Sequence, residues 1–218
     1  MLKEKANNYA LTFLVALDGP AASGKGVIAK EISKIYSLNY YSSSIFYRKL
    51  AGLALHLGFT ENRDIIELSA DVERLLDYND ENLHGSEISV MASKVAALGQ
   101  VRSNLYHAQR RIVETNPRLI MEGRDIASVI APEADFKIYL TASVETRALR
   151  RFNQLKNQNM DLDKTFENVL LELKERDKRD EEREIAPLKI SQDALFIDNS
   201  TIDVDSTLNF IKNYVHSK

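Results

Sequence analysis

The stretch Gly19-Pro20-Ala21-Ala22-Ser23-Gly24-Lys25-Gly26-Val27 combines residue types that hold a polyphosphate. Its glycines let backbone N–H groups turn inward around an anion, and its lysine carries an ammonium to the outer phosphates. Residues 19–25 fit the first seven positions of the phosphate-loop pattern G-x-x-x-x-G-K-[ST], and the eighth is glycine. The stretch therefore reads as the binding loop for a nucleoside triphosphate. Gly26-Val27 offers no hydroxyl where many such loops place Ser or Thr on Mg²⁺. A metal would then be held through phosphates, water or another residue, and Asp18 and Glu122 are the candidates for a water-mediated contact. A glycine-rich turn that only packs is the competing reading. Position tells against it, because the loop follows an apolar run and opens a helical pattern.

If the outer phosphate of a bound triphosphate is transferred, charge spreads over the moving group, and such a site needs several fixed cations. Arginine does this best, with a planar fork that takes two phosphate oxygens and stays charged. Arg147, Arg150, Arg151, Arg176, Arg179 and Arg183 fall in two helical segments that flank the polar stretch KNQNMDLDK, which suits a hinged lid. The bland alternative is a solvated charged helix, since Glu172, Glu175, Arg176, Arg179 and Arg183 also pair at i,i+3 and i,i+4. Arg147 and Arg150 are assigned to the surface on that ground. Asp180 stands four residues from Arg176 and three from Arg183, placed to orient both guanidiniums.

The elements that must position these groups follow from the apolar pattern. Residues 11–17 (LTFLVAL) suit a strand buried on both faces, and 25–37 a helix with Val27, Ile28, Ile32 and Ile35 at helical spacing. Residues 38–42 read as a second strand, 44–57 and 63–77 as helices, and 78–88 as a loop or short hairpin. A helix is expected over 90–115, strands over 118–121 and 136–140, charged helices over 145–155 and 164–184, a strand over 194–197 and a closing helix over 204–215. Strands alternating with helices imply an α/β protein with a mostly parallel sheet between helical layers.

Composition bounds the rest. With 218 residues the chain suits one core, and 44% hydrophobic with 28% charged residues is the balance of a folded protein. The 29 basic and 32 acidic residues leave a net charge of −3, which argues against a nucleic-acid or membrane-surface binder. There is no cysteine, hence no disulfide framework or thiolate metal site, and a cytoplasmic setting is the simplest expectation. No apolar run approaches the length of a membrane span, and residues 1–10 read as a polar start. The four histidines (His56, His84, His107 and His216) lack a supporting motif, and Tyr40, Tyr41, Phe46 and Tyr47 read as core rather than as a base-stacking platform.

Separated segments point one way: Leu17-Asp18-Gly19-Pro20, the stretch from Ser43 to Arg48, Glu122-Gly123-Arg124-Asp125-Ile126, Lys137 to Ser143, Arg176-Asp177-Lys178-Arg179-Asp180 with Arg183, and Ala186-Pro187-Leu188 through Ala194. In this order and spacing the chain resembles the bacterial cytidylate kinases over nearly all of residues 11–215. The resemblance implies a three-layer α/β/α P-loop nucleoside-monophosphate-kinase fold with a central, mostly parallel five-stranded sheet. It also implies a single kinase domain with its core at about 11–42, 99–150 and 185–218, a monophosphate-binding region at about 43–98 and a lid at about 151–184. The activity implied is transfer of the γ-phosphoryl group of ATP, with Mg²⁺, to CMP or dCMP.

By the same resemblance, Ser43, Ser93, Arg102, Asp125 and Asp180 surround the nucleoside of CMP, with Ser93 and Arg102 near the cytosine edge. Arg48, Arg124 and Arg183 lie near its phosphate, and Arg151 and Arg176 approach the phosphates as the lid closes. Lys25, Arg124, Arg151, Arg176 and Arg183 are the implied catalytic set, and a monomer is expected. No general base is required, because the attacking phosphate oxygen is already ionised. Departures are specific. Ser42-Ser43-Ser44 stands where the family carries an acid, Ser or Thr, and glycine; Ala127-Ser128 stands for Gly-Thr; and the segment between Arg48 and Ser93 is cut down where the family builds a small antiparallel sheet. Looser pyrimidine selection is the expected consequence. The rival readings are another small P-loop monophosphate kinase and a degenerate nucleotide-binding regulator.

Overall fold

The structure is a computed structural model that describes residues 12–217. The polar start expected over residues 1–10, and Leu11 of the first expected strand, lie outside the described residues. Five strands form one sheet: β1 (Phe13–Asp18), β2 (Asn39–Ser42), β3 (Arg118–Gly123), β4 (Phe136–Thr141) and β5 (Leu195–Asp198). Their order is β2-β3-β1-β4-β5 and every pairing is parallel. β1 is central, as its unbroken apolar run requires, and Val15, Ala16 and Leu17 are buried. Its neighbours β3 and β4 both come from later in the chain, so the connections part on either side of its carboxyl end, where open parallel sheets leave their ligand crevice.

The helices are α1 (Lys25–Tyr36), α2 (Ser44–His56), α3 (Asn62–Ala70), α4 (Val72–Asp77), α5 (Ser86–Val95), α6 (Gly99–Thr115), α7 (Val144–Asn157), α8 (Phe166–Glu182) and α9 (Val204–Ser217). Two expected helices are each broken in two. The one over 63–77 divides at Asp71, whose carboxylate accepts the Arg74 N–H and so starts α4. The one over 90–115 starts earlier, at Ser86, and breaks between Val95 and Gly99, where a Cβ on Gly99 would lie 2.6 Å from the Ile185 side chain. A five-residue π-helical turn at Ile126–Ile130 carries no sequence signal of its own.

Contacts group the described residues into two compact units. One takes the chain up to Ser42, Arg110–Ala142 and the chain from Lys189 onward. It holds the sheet, with α1 and α9 packed through Ile28, Ile32, Leu208 and Ile211 against Val15, Leu17, Ile138 and Ile197. The other takes Ser43–Gln109 and Ser143–Leu188, and its regular elements are all helices. There α2 packs on α5, and α7 on α8. Residues 78–85 are a turn-rich loop, so no strand forms between Ser43 and Leu98.

Candidate active site

In the sheet unit, the turn after β1 begins with Gly19 at φ +147°, where a Cβ would lie 2.0 Å from the Leu140 carbonyl oxygen. β4 backbone is thus pressed against the loop, and only glycine fits. Ala22 (φ +59°) and Gly24 (φ +93°) are left-handed, which turns successive N–H groups to one side. Lys25 opens α1 and curls back, its Nζ donating to the Pro20 carbonyl at 2.7 Å and to Ser23 Oγ at 3.3 Å. Its side chain is thereby folded over the loop. The first turn of α1 holds no acidic residue, which leaves the positive end of the helix dipole for an anion from outside. From the end of β5, Asn199 Nδ2 donates to the Ser23 carbonyl at 3.1 Å while its backbone N–H bonds Thr141, fixing the outer wall of the loop.

The acids near this loop do different things. Asp18 is buried, and its two carboxylate oxygens accept the Ile126 and Ala127 N–H groups at 2.9 and 2.8 Å, starting the π-helical turn. Burial pushes its carboxyl from the ordinary 3.8 up to about 7, with those two amides pulling back and Asp125 adding to the rise. Glu122, paired in register with Leu17 on one side and Ser42 on the other, accepts from Ser42 Oγ at 2.5 Å and from the Tyr40 hydroxyl at 3.4 Å. Burial, with the Glu122 charge beside it, lifts the Tyr40 phenol to about 12. Arg124 Nη1 donates to the Gly123 carbonyl at 3.1 Å, and Asp125 is buried beside it. Among the described residues no group of three or more His, Asp or Glu side chains gathers to cage a metal.

In the helical unit, Ser43 is the buried N-cap residue of α2. One turn on, Arg48 Nη1 donates to the Leu83 carbonyl at 2.7 Å and to Ser89 Oγ at 3.0 Å. Ser93 lies one turn beyond Ser89 on α5, and its Oγ accepts from Arg179 Nε of α8 at 3.2 Å. Farther along α8, Asp180 stands 3.9 Å from Arg176 and 3.6 Å from Arg183, and Arg183 Nε donates to the Ala186 carbonyl at 2.7 Å. So Arg176, Asp180 and Arg183 come together, with Ser93 one helix away through Arg179. Arg102 is buried with its guanidinium 5.5 Å from the Tyr47 ring centre and Nη1 donating to Ala96. Arg151 makes different contacts, donating to the His84 carbonyl at 2.8 Å and to Gln154 at 3.0 Å; burial lowers its pKa while Asp161 and Glu172 oppose the change.

One assignment is corrected. Arg147, read from sequence as a surface residue, is buried and paired with Asp177 at 2.7 Å. An i,i+3 and i,i+4 search within one helix does not find a partner thirty positions away. Arg179 was equally indistinct in sequence, being one of several arginines in a charged run, and only the approach of α5 singles it out.

A family model described as cytidylate kinase matches residues 15–217. The chain belongs to the cytidylate kinase family. A curated cytidylate kinase of Rickettsia typhi (strain ATCC VR-144 / Wilmington) is 42% identical to it over 221 residues, covering 100% of this chain and 98% of that one. One of Rickettsia akari (strain Hartford) is 43% identical over the same length, with 100% and 98% covered. Among solved structures, shikimate kinase from Acinetobacter baumannii in complex with shikimate aligns with a TM-score of 0.51 at 14% identity, over 97% of each chain. At that identity the likeness concerns the fold alone, which is that of P-loop kinases. This family member is thus a phosphotransferase, and no helix among its described residues is long and apolar enough to cross a membrane.

Proposed function

We propose a division of labour for the reaction of this kinase, which transfers the γ-phosphoryl group of ATP to CMP or dCMP and yields ADP with CDP or dCDP. Residues 19–27 bind the phosphates of ATP through their amides, and Lys25 leaves its two oxygen partners on the loop to follow charge onto the transferred group. Arg48, Arg124 and Arg183 take the phosphate of the acceptor; Ser43, Ser93, Arg102, Asp125 and Asp180 take its nucleoside; Arg151 and Arg176 serve the transferring phosphates. Residues 43–98 act as the monophosphate-binding region and 151–184 as the lid. The observation that carries the reading is the loop after β1, closed against β4 backbone, roofed by Lys25 and opening a helix with no acid in its first turn.

Mg²⁺ fits this arrangement as a metal carried in by ATP rather than caged by protein. Among the described residues no acidic cluster gathers to hold it, Val27 brings no hydroxyl after Lys25-Gly26, and both Asp18 oxygens serve backbone amides. Glu122, at the carboxyl end of β3, is the residue assigned to a metal-bound water. When bound, the ion supplies charge neutralisation on the outer phosphates. The acceptor oxygen is ionised at neutral pH, so no side chain need remove a proton. The enzyme is assigned as a cytoplasmic monomer that acts on free nucleotides and not on nucleic acid, in keeping with its net charge of −3.

ADP release with ATP and Mg²⁺, compared across CMP, dCMP, UMP and AMP at matched concentrations, tests the reading. CMP-dependent release that Lys25→Ala abolishes is expected; a preference for AMP overturns the acceptor assignment.

A further inference from the structure

β1 and β3 run side by side until Asp18 stands in register with Gly123, and there the two chains part. β1 leads on into the phosphate loop at Gly19, and β3 into Arg124 and Asp125. Asp18 then reaches across a second time. It is 2% exposed, and its carboxylate accepts the Ile126 N–H at 2.9 Å on one oxygen and the Ala127 N–H at 2.8 Å on the other. Arg124 and Asp125 are therefore bracketed, by strand pairing to Asp18 before them and by the Asp18 side chain after them. The far side of the bracket is firm, because Ile126, Ala127 and Ile130 are buried and the Asp125 carbonyl accepts the Val129 and Ile130 N–H groups at 2.9 and 3.2 Å. A strand that had only to pair with β3 would need no buried carboxylate at its end, since burying one is costly. The turn it holds is π-helical, a form that occurs mostly at functional sites.

We infer that Asp18 is a positioning residue for phosphoryl transfer: by holding both ends of the Arg124-Asp125 segment, it sets that segment at a fixed distance from the phosphate loop that begins at the next residue, Gly19. The loop for the donor phosphates and the arginine for the acceptor are then anchored at one point. Their separation is built in before either substrate arrives. In-line transfer rewards such a device, since a misplacement of about 1 Å can cost about 100-fold in rate. The inference rests on Arg124 serving the acceptor phosphate, as proposed above.

Asp18→Asn keeps one acceptor and turns a donor, its amide nitrogen, toward the second backbone N–H, so the bracket loosens on one side. Turnover with saturating ATP and CMP is expected to fall about tenfold or more, while the Kd for ATP, titrated calorimetrically without CMP, stays within about twofold of the parent. Arg124→Met removes the guanidinium that the bracket positions, and adding Asp18→Asn to it should slow turnover by less than about twofold more. Where Asp18→Asn does not fold, Asp18→Ser, with one side-chain oxygen in place of two, takes its part. If the Asp18 variant lowers the unfolding midpoint but leaves turnover per folded molecule unchanged, the carboxylate only stabilises and the inference is overturned. It is overturned equally if Arg124→Met slows turnover and the two substitutions together multiply their separate effects. If Arg124→Met leaves turnover and KM for CMP at the parent values, the role of Arg124 proposed above is wrong, and the inference falls with it.

Discussion

Asp180 and Arg183 approach to 3.6 Å with their side chains 5% and 4% exposed, so one turn of α8 buries a carboxylate against a guanidinium. Arg176 adds a second cation at 3.9 Å from the other carboxylate oxygen. Removing the charge of a buried partner strands the other. Asp180→Asn is expected to lower unfolding stability by about 3 kcal/mol in urea titrations and to raise KM for CMP. A change below about 0.5 kcal/mol would mean that the pair is solvated in solution.

Lys25→Ala removes the ammonium that roofs the phosphate loop. Loss of a donor aimed at developing charge typically slows turnover by about 10²–10³-fold, and ADP release should fall at least that far. The thermal midpoint should hold or rise, since a buried ammonium disappears with its desolvation cost.

Gly19→Ala is the severest change to the loop that adds a single carbon. The new Cβ would meet the Leu140 carbonyl at 2.0 Å, and neither backbone can retreat without parting β1 from β4. Destabilisation beyond about 3 kcal/mol is expected, read as insoluble expression or a collapsed denaturant midpoint. Gly26→Ala, whose Cβ would meet only the Tyr40 hydroxyl at 3.6 Å, is the tolerated control.

Asp18 gives the fold a pH dependence of definite sign. Its carboxyl is raised from 3.8 to about 7 by burial, so across that window the folded chain holds a proton that the unfolded chain has released. Stability therefore falls as pH climbs from about 4 to about 7, by at most about 1.4 kcal/mol per pH unit, and the loss levels off above. Asp18→Asn should flatten this slope in urea titrations at pH 5 and pH 8, and its deficit against the parent should be larger at pH 5. Equal slopes would show that the carboxylate is ionised throughout.

The parallel sheet was legible because its signal is local: LTFLVAL and FKIYL are apolar runs that only a doubly covered strand explains, and β1 and β4 formed there. Helix breaks were not legible. Apolar residues run on through Val95, Ala96 and Leu98, and the reason a glycine stands at 99 is the closeness of Ile185, a residue far along the chain, to the place a Cβ there would take. Asp18 shows the same limit, since nothing in the sequence pairs an acid after the first strand with two amides of a turn more than a hundred positions along the chain. For Arg183 and Asp180, spacing on one helix was enough to foretell their meeting.

The tether from Asn199 to the Ser23 carbonyl gives the last twenty residues a duty remote in sequence from the loop they secure. A trimmed version that stops ahead of β5 would keep every residue of the motif yet leave the wall at Ser23 unbraced. Designers of minimal or permuted versions should therefore count the far end of the chain as part of the nucleotide grip.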